Sequence, residues 1–247
     1  MKIIFLGTNG WYDTKTGNTV CVSIETETEY IIFDAGNGFY KIDQYIKTKK
    51  PIYLFLSHFH LDHVIGLHTL AKFNFPQGID VYGPKGLKNL FAKVINYPYS
   101  KPIKELKTKI RLHELIRKNQ LPVIGEFARL KHSTVCYGFR FVLEGKVISY
   151  CTDTGLCKNL FRLAKDADLL IIECSYKSGQ INKEWPHLNP TTVAHLAKSS
   201  RAKKVILTHF DASLYLTLRE RNIIFNELRK ISNTTLLIGY DSLEIKI

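Results

Sequence analysis

The stretch PIYLFLSHFHLDH, Pro51 to His63, turns a short apolar run at once into a cluster of imidazoles and a carboxylate. Ile52 to Leu56 is continuous and apolar, the composition of a strand buried on both faces. The next residues, His58, Phe59, His60, Leu61, Asp62 and His63, place four potential metal ligands in six positions. Extended backbone alternates its side chains, so His58 and His60 fall on one side. A turn into helix after them brings Asp62 and His63 round to face a second ion. Histidine and aspartate are poor choices for the end of a hydrophobic strand unless they bind something.

Working outward, other candidate ligands stand in the same place relative to their own strands. His132 follows Phe127 to Leu130, Asp153 follows Val147 to Tyr150, and His209 follows Val205 to Leu207. In a layered α/β fold, strand ends gather along one rim, so distant residues converge on one pocket. Read singly, His132 is a surface histidine, Asp153 a turn former in Thr152-Asp153-Thr154-Gly155 and His209 a helix cap; the first motif makes them a set. Five histidines and two aspartates exceed what one tetrahedral zinc can use. The expected arrangement gives His58, His60 and His132 to one ion and Asp62, His63 and His209 to the other. Asp153 bridges, with a hydroxide between ions about 3.5–4 Å apart. Such a pair lowers the pKa of bound water and stabilises both attacking and leaving oxygens at phosphorus, which suits phosphodiester cleavage.

The surrounding pattern is α/β. Strands are expected at Lys2 to Leu6, Thr19 to Glu25, Glu29 to Phe33 and Ile52 to Leu56, and later at Ile110 to Leu112, Phe127 to Leu130, Gly138 to Leu143, Val147 to Tyr150, Leu169 to Ile172 and Val205 to Leu207. Helices are expected at Phe39 to Ile46, Leu87 to Ile95, from Pro190 behind an Asn189 cap, and at Leu216 to Ile231. No repeat or linker interrupts residues 1–247, so a single domain is expected.

Composition sets the class. At 45% hydrophobic and 23% charged residues the chain is neither disordered nor membrane-spanning. Ile3 to Leu6 is far too short for a signal-peptide core or a spanning helix. Cys21, Cys136, Cys151, Cys157 and Cys174 are odd in number and scattered, which points to a reducing, cytoplasmic setting and to buried apolar roles. The formal net charge of +13 favours capture of a polyanion. Basic residues cluster at Lys47, Lys49 and Lys50, along Lys101 to Lys109, at Arg117 and Lys118, and at Arg201 to Lys204.

The chain resembles the metallo-β-lactamase superfamily, and within it the ribonuclease Z-like phosphodiesterases. Nearly its whole length carries the resemblance: Phe5-Leu6-Gly7-Thr8, Phe33-Asp34-Ala35-Gly36, the His58 to His63 motif, His132, Thr152-Asp153-Thr154-Gly155, Ile172-Glu173-Cys174 and Leu207-Thr208-His209-Phe210. The resemblance implies an αββα four-layer sandwich of two mixed sheets with outer helices, holding two zinc ions, with manganese as the alternative metal. It implies catalytic roles for Asp62, which helps to orient the nucleophile, and for Glu173 and His187, a pair that protonates the leaving oxygen. A carboxylate that orients an imidazole raises its protonated fraction, which suits an RNA or nucleotide leaving group. Asp34 looks like the family's structural aspartate near the site. His68, His113 and His195 follow no strand-end pattern, and Gly7 and Gly10 could admit a phosphate to the backbone.

Two departures shape the substrate reading. The long Gly- and Pro-containing arm with which tRNA-processing relatives grip tRNA is not found; Tyr82 to Gly86 reads as a short turn, and Asn96 to Ile110 is basic but short. Nor is there the added Cys/His zinc motif of the cyclic phosphodiesterases of phosphonate breakdown. RNA and small or cyclic nucleotides therefore both stand as substrates. The alternatives are a lactone or thioester hydrolase, which needs no Glu173 and His187 pair, and a non-catalytic nucleic-acid-binding protein. Dimers are common in the family, so a homodimer is compatible, and no membrane partner is expected.

Overall fold

The structure is a computed structural model and describes residues 1–117, 120–229 and 234–247. Lys118 of the third basic cluster and Ile231 at the expected end of the last helix lie outside the described residues. In chain order, β1 (Lys2–Gly7), β2 (Asn9–Gly10), β3 (Cys21–Glu25), β4 (Tyr30–Phe33), β5 (Ile52–Phe55), α1 (Leu61–Val64), β6 (Ile79–Gly83), α2 (Leu87–Val94) and β7 (Ile110–Glu114) form the first half. They are followed by β8 (Gly125–Arg129), β9 (Tyr137–Leu143), β10 (Lys146–Cys151), α3 (Lys158–Ala164), β11 (Leu169–Glu173), α4 (Pro190–Ser200), β12 (Lys204–Thr208), β13 (Phe210–Asp211), α5 (Leu218–Arg229), β14 (Thr235–Ile238) and β15 (Glu244–Lys246).

The chain divides into two compact units. The first comprises Met1–Gly7, Asn18–Pro122 and Asp241–Ile247. Its sheet runs β15-β1-β3-β4-β5-β6-β7, antiparallel from β15 to β4 and parallel from β4 to β7. Parallel neighbours need crossovers, here the 3-10 helix Asn37–Gln44, α1 with the 3-10 helix Ile65–Lys72, and α2. Phe39, Ile42, Leu67, Leu70, Leu87 and Phe91 from these crossovers pack on Leu6, Ile32, Leu54 and Val81. The alternate residues Phe5, Ile31, Phe33 and Phe55 are equally buried, which accounts for the unbroken apolar runs of β4 and β5.

The second unit comprises Thr8–Gly17 and Val123–Tyr240. Its sheet runs β14-β12-β11-β10-β9-β8, parallel from β14 to β10 and antiparallel beyond, with α3, α4 and α5 as the crossovers. Leu160, Leu163, Val193, Leu196, Ile224 and Leu228 of those helices pack on Leu170, Ile172, Val205 and Leu207. β2 and β13 form a separate two-stranded pair. The cap at α4 is as expected: Asn189 Oδ1 accepts the Thr192 N–H at 3.0 Å, and Thr192 Oγ1 accepts the Asn189 N–H at 2.9 Å. A cap of this kind contributes about 1 kcal/mol.

Several elements differ from the sequence reading. Phe39 to Ile46 forms a 3-10 helix that ends at Gln44, and the last helix begins at Leu218. Tyr82 and Gly83 are the end of β6 rather than part of a turn. β15, of sequence Glu-Ile-Lys, carries no strand pattern and exists because β1 offers it an edge.

Candidate metal centre

In the first unit the His58 motif sits where β5 ends. The backbone stays extended through His60, at φ −64° and ψ 149°, and α1 then begins at Leu61. This is the strand, turn and helix expected from the motif. The rings of His58 and His60 lie 4.5 Å apart, and those of His58 and His63 4.1 Å apart. Asp62 Oδ2 stands 3.6 Å from His63 Nε2.

Asp34 and Ser57, both fully buried, decide which ring nitrogens face outward. Asp34 Oδ1 accepts the Ser57 N–H at 2.7 Å, and the Ser57 hydroxyl, 2.9 Å from both carboxylate oxygens, donates to Asp34. That hydroxyl therefore accepts from His58 Nδ1 at 3.0 Å, while His63 Nδ1 donates to Asp34 Oδ2 at 2.9 Å. Both imidazoles are held with Nδ1 as donor, which leaves the Nε2 lone pairs for a cation. Gly36 serves the same corner: a Cβ there would stand 2.4 Å from the Asp62 carbonyl oxygen, so only glycine lets α1 pack on the Asp34-Ala35-Gly36 turn.

The second unit assembles its own set at the carboxyl ends of three adjacent strands, β10, β11 and β12, with His132 following β8. Asp153 faces two imidazoles at once, Oδ1 at 3.1 Å from His209 Nε2 and Oδ2 at 3.6 Å from His132 Nε2. Ligand atoms of Asp153, His187 and His209 lie within 4.8 Å of one another. Ser175 treats His209 as Ser57 treats His58. Its hydroxyl donates to the His209 carbonyl oxygen at 2.8 Å and so accepts from His209 Nδ1 at 2.9 Å. His209 Nε2 then presents a lone pair to a carboxylate oxygen. Two electron-rich atoms at that distance need a second proton or a cation between them, and the donor set of imidazoles and carboxylate fits a divalent metal of the zinc class.

Glu173, fully buried at the end of β11, collects the N–H groups of Thr154, Ser175 and Leu188. It also receives His187 Nδ1, at 2.9 Å from Oε1 and 3.1 Å from Oε2. The His187 Nε2 is thereby aimed away from Glu173. The ring stacks 5.7 Å from that of His209 and lies 5.2 Å from that of His132.

The backbone is strained at the same places. Asp34, Asp153 and His209 have φ of 55°, 52° and 53°, a left-handed conformation costing a non-glycine residue about 1–2 kcal/mol. Each follows a strand closely, where reversal of the chain re-aims the side chain. Gly10 is required by His209, since a Cβ there would stand 2.5 Å from ring carbon Cε1. It is thus a packing position rather than a phosphate seat, and Gly7, whose Cβ would meet the Thr19 carbonyl oxygen at 1.9 Å, is another. Fully buried Arg221 of α5 secures this corner by donating to Thr8 Oγ1 at 2.9 Å and to Asn9 Oδ1, with its guanidinium 4.6 Å above the ring of Phe210.

Sequence reading did not find Ser57, Ser175 or Arg221 as supports of the site; the serines' only signal is nearness to a candidate ligand or to Glu173. Two of the other histidines, His68 and His113, keep ordinary roles. His113 pairs with Asp80 and stacks on Tyr82, and His68 bonds the Ile65 carbonyl. Four of the five cysteines are buried. Burial, reinforced by the Asp34 carboxylate, pushes the Cys21 thiol well up, and burial does the same to Cys151, so neither offers a thiolate to a metal.

Residues 29–210 match the β-lactamase superfamily domain, a span that contains all seven candidate ligands with Glu173 and His187. The chain belongs to the β-lactamase superfamily. Among its relatives in that superfamily, the ribonuclease Z of Acaryochloris marina is 27% identical over 269 residues, covering 85% of this chain and 86% of the relative. The ribonuclease Z of Microcystis aeruginosa is 25% identical, covering 100% and 96%. The metallo-β-lactamase fold protein YhfI from Bacillus subtilis superimposes with a TM-score of 0.82 at 20% identity, covering 99% and 98% of the two chains. Human tRNase Z, short form, gives 0.75 at 25% identity, covering 100% and 99%. The metallo-β-lactamase fold expected from the motifs is the fold of this superfamily member.

Proposed function

We propose that this chain is a metal-dependent hydrolase that cleaves phosphodiester bonds in RNA, working as one domain over residues 1–247. The Glu173 and His187 pair carries the reading, because only a leaving group that needs a proton gives such a pair work. Its place beside Asp153 and His209 supports a donor acting on the same bond as the metals. The relatives named ribonuclease Z support RNA as the substrate class. The alignment with the Microcystis protein spans 314 positions against the 247 residues here, a difference of 67, in keeping with the missing arm.

In this reading His58, His60 and His132 would hold one ion and Asp62, His63 and His209 the other, with Asp153 as a carboxylate ligand available to both. Two such ions, zinc with manganese as the alternative, would supply the Lewis acidity needed to ionise a water and neutralise charge on the phosphate. Asp62 would orient the attacking water, and Ser57, Asp34 and Ser175 would keep the imidazoles in the tautomer that presents Nε2. His187 delivers the proton from Nε2 to the departing ribose oxygen while Glu173 fixes Nδ1. The free thiols fit a cytoplasmic setting, and among the described residues no helix is long and apolar enough to cross a membrane. A homodimer completes the reading and is measured by light scattering.

A leaving-group comparison tests the reading. p-Nitrophenolate departs as a stable anion without a proton, whereas a ribose alkoxide does not. His187→Ala should therefore lower cleavage of an RNA precursor about 10²–10³-fold and leave bis(p-nitrophenyl) phosphate hydrolysis within a few-fold of the parent. Equal losses on both substrates, or rapid cleavage of a lactone by a protein inert to phosphodiesters, would overturn it.

A further inference from the structure

Charge along this chain is unevenly placed. Residues 85–109 contain seven lysines and one acidic residue, Glu105, and so contribute +6 of the formal net charge of +13. All seven lysines are exposed. Set among them are Tyr97 and Tyr99, with 67% and 77% of their surface exposed. An ordered turn holds this segment, since the Asn96 carbonyl oxygen accepts the N–H groups of Tyr99 and Ser100 at 2.9 and 2.8 Å. The Tyr97 hydroxyl donates to Glu105 Oε2 at 3.1 Å. The phenol edge is tied while the ring stays open to solvent.

The segment starts beside the His58 motif. A side-chain carbon at Gly83 or Gly86, which flank the turn into α2, would stand 3.5 or 3.7 Å from the ring of Phe59, the residue between His58 and His60. Lysines bind phosphates of any strand, but aromatic faces presented to water stack only on bases that are unpaired. A duplex would satisfy the charges and leave the rings without partners.

We propose that residues 85–109 form a binding surface for the single-stranded part of an RNA substrate, with Lys101, Lys104 and Lys107 on its phosphates and Tyr97 and Tyr99 against its bases. The assignment deepens the RNA reading above and rests on it. The test is fluorescence anisotropy of a labelled oligouridylate with the metal-loaded full chain, read before turnover and with RNA integrity checked on a gel. Replacing the three lysines by glutamine should weaken binding at least tenfold and reduce the slope of log affinity against log salt by about 2. The Tyr97→Ala, Tyr99→Ala double variant should lose about tenfold or more on the single strand while a duplex RNA of the same length is held as before. Both variants should hydrolyse bis(p-nitrophenyl) phosphate at the parent rate. Should either fail to fold by circular dichroism, the single substitutions Lys104→Gln and Tyr99→Ala carry the same test with smaller losses. Unchanged oligouridylate affinity in folded variants, or tighter binding of the parent to duplex RNA or phosphatidylserine vesicles than to the single strand, overturns the surface. Absence of all phosphodiester hydrolysis by the metal-loaded parent would instead overturn the catalytic reading, and the binding curves report separately from it.

Discussion

Both carboxylate oxygens of Glu173 face a single atom of His187, its Nδ1, at 2.9 and 3.1 Å. The carboxylate is already committed to three backbone N–H groups, so in the proposed reading it would position the imidazole instead of meeting the substrate itself. Residues that act through one another lose activity once, not twice. On RNA, Glu173→Gln should lower kcat, His187→Ala should lower it further, and the double variant should match His187→Ala. Single-turnover rates in the four proteins check this, and additive losses would separate the two roles.

His209 is framed by Gly10 on one side and by Ser175 on the other. Gly10→Ala drives a methyl group into the ring, and Ser175→Ala removes the acceptor that fixes Nδ1. Loss of an orienting partner typically costs 10–100-fold in metal affinity. Chelator competition should show that weakening in Ser175→Ala, and elemental analysis should show a larger deficit in Gly10→Ala. Full metal occupancy in both would mean that His209 is not a ligand.

Metal removal should lower thermal stability as well as activity. Ions that bind only the folded chain, present at about 100 times their Kd, stabilise it by about 2.7 kcal/mol per site. For a chain of this size one such site corresponds to roughly 5–10 °C in Tm. Calorimetry before and after exhaustive chelation, followed by zinc restoration, reads the shift; an unchanged Tm would count against buried metal ligands.

Burial, reinforced by the Asp80 carboxylate and by Tyr53, pushes the Tyr82 phenol up to about 12. The folded state therefore favours the neutral phenol. The associated stability is fully present below the ordinary tyrosine value and is lost as pH rises from about 10 towards 12. Tyr82→Phe should flatten the decline of urea stability across that window, while ultraviolet titration of the parent shows one late-ionising tyrosine fewer in the variant.

The site was legible where chemistry and element boundaries coincide. Pro51 to His63 displays a buried strand, its end and four candidate ligands in continuous order, and Asn189-Pro190 announces α4. Phe39 to Ile46 shows the limit: its apolar spacing resembles an α-helix, yet the chain there forms a 3-10 helix over Asn37–Gln44. β15 has no pattern of its own because a neighbouring edge, not its side chains, makes it a strand.

The order of residues by itself determined the α/β class, the strand-end placement of the seven candidate ligands and the family. Periodicity and ligand chemistry are local properties that a linear sequence displays. Only the tertiary structure decided that Ser57 and Ser175 select the imidazole tautomers, that Gly10 makes room for His209, and that Arg221 of α5 anchors Thr8 and Asn9. Ser57 is the neighbour of His58 but takes its direction from Asp34, 23 positions away, and the other relationships join residues tens to hundreds of positions apart; hydrogen-bond direction and steric exclusion exist only once the chain has brought the groups within a few ångströms.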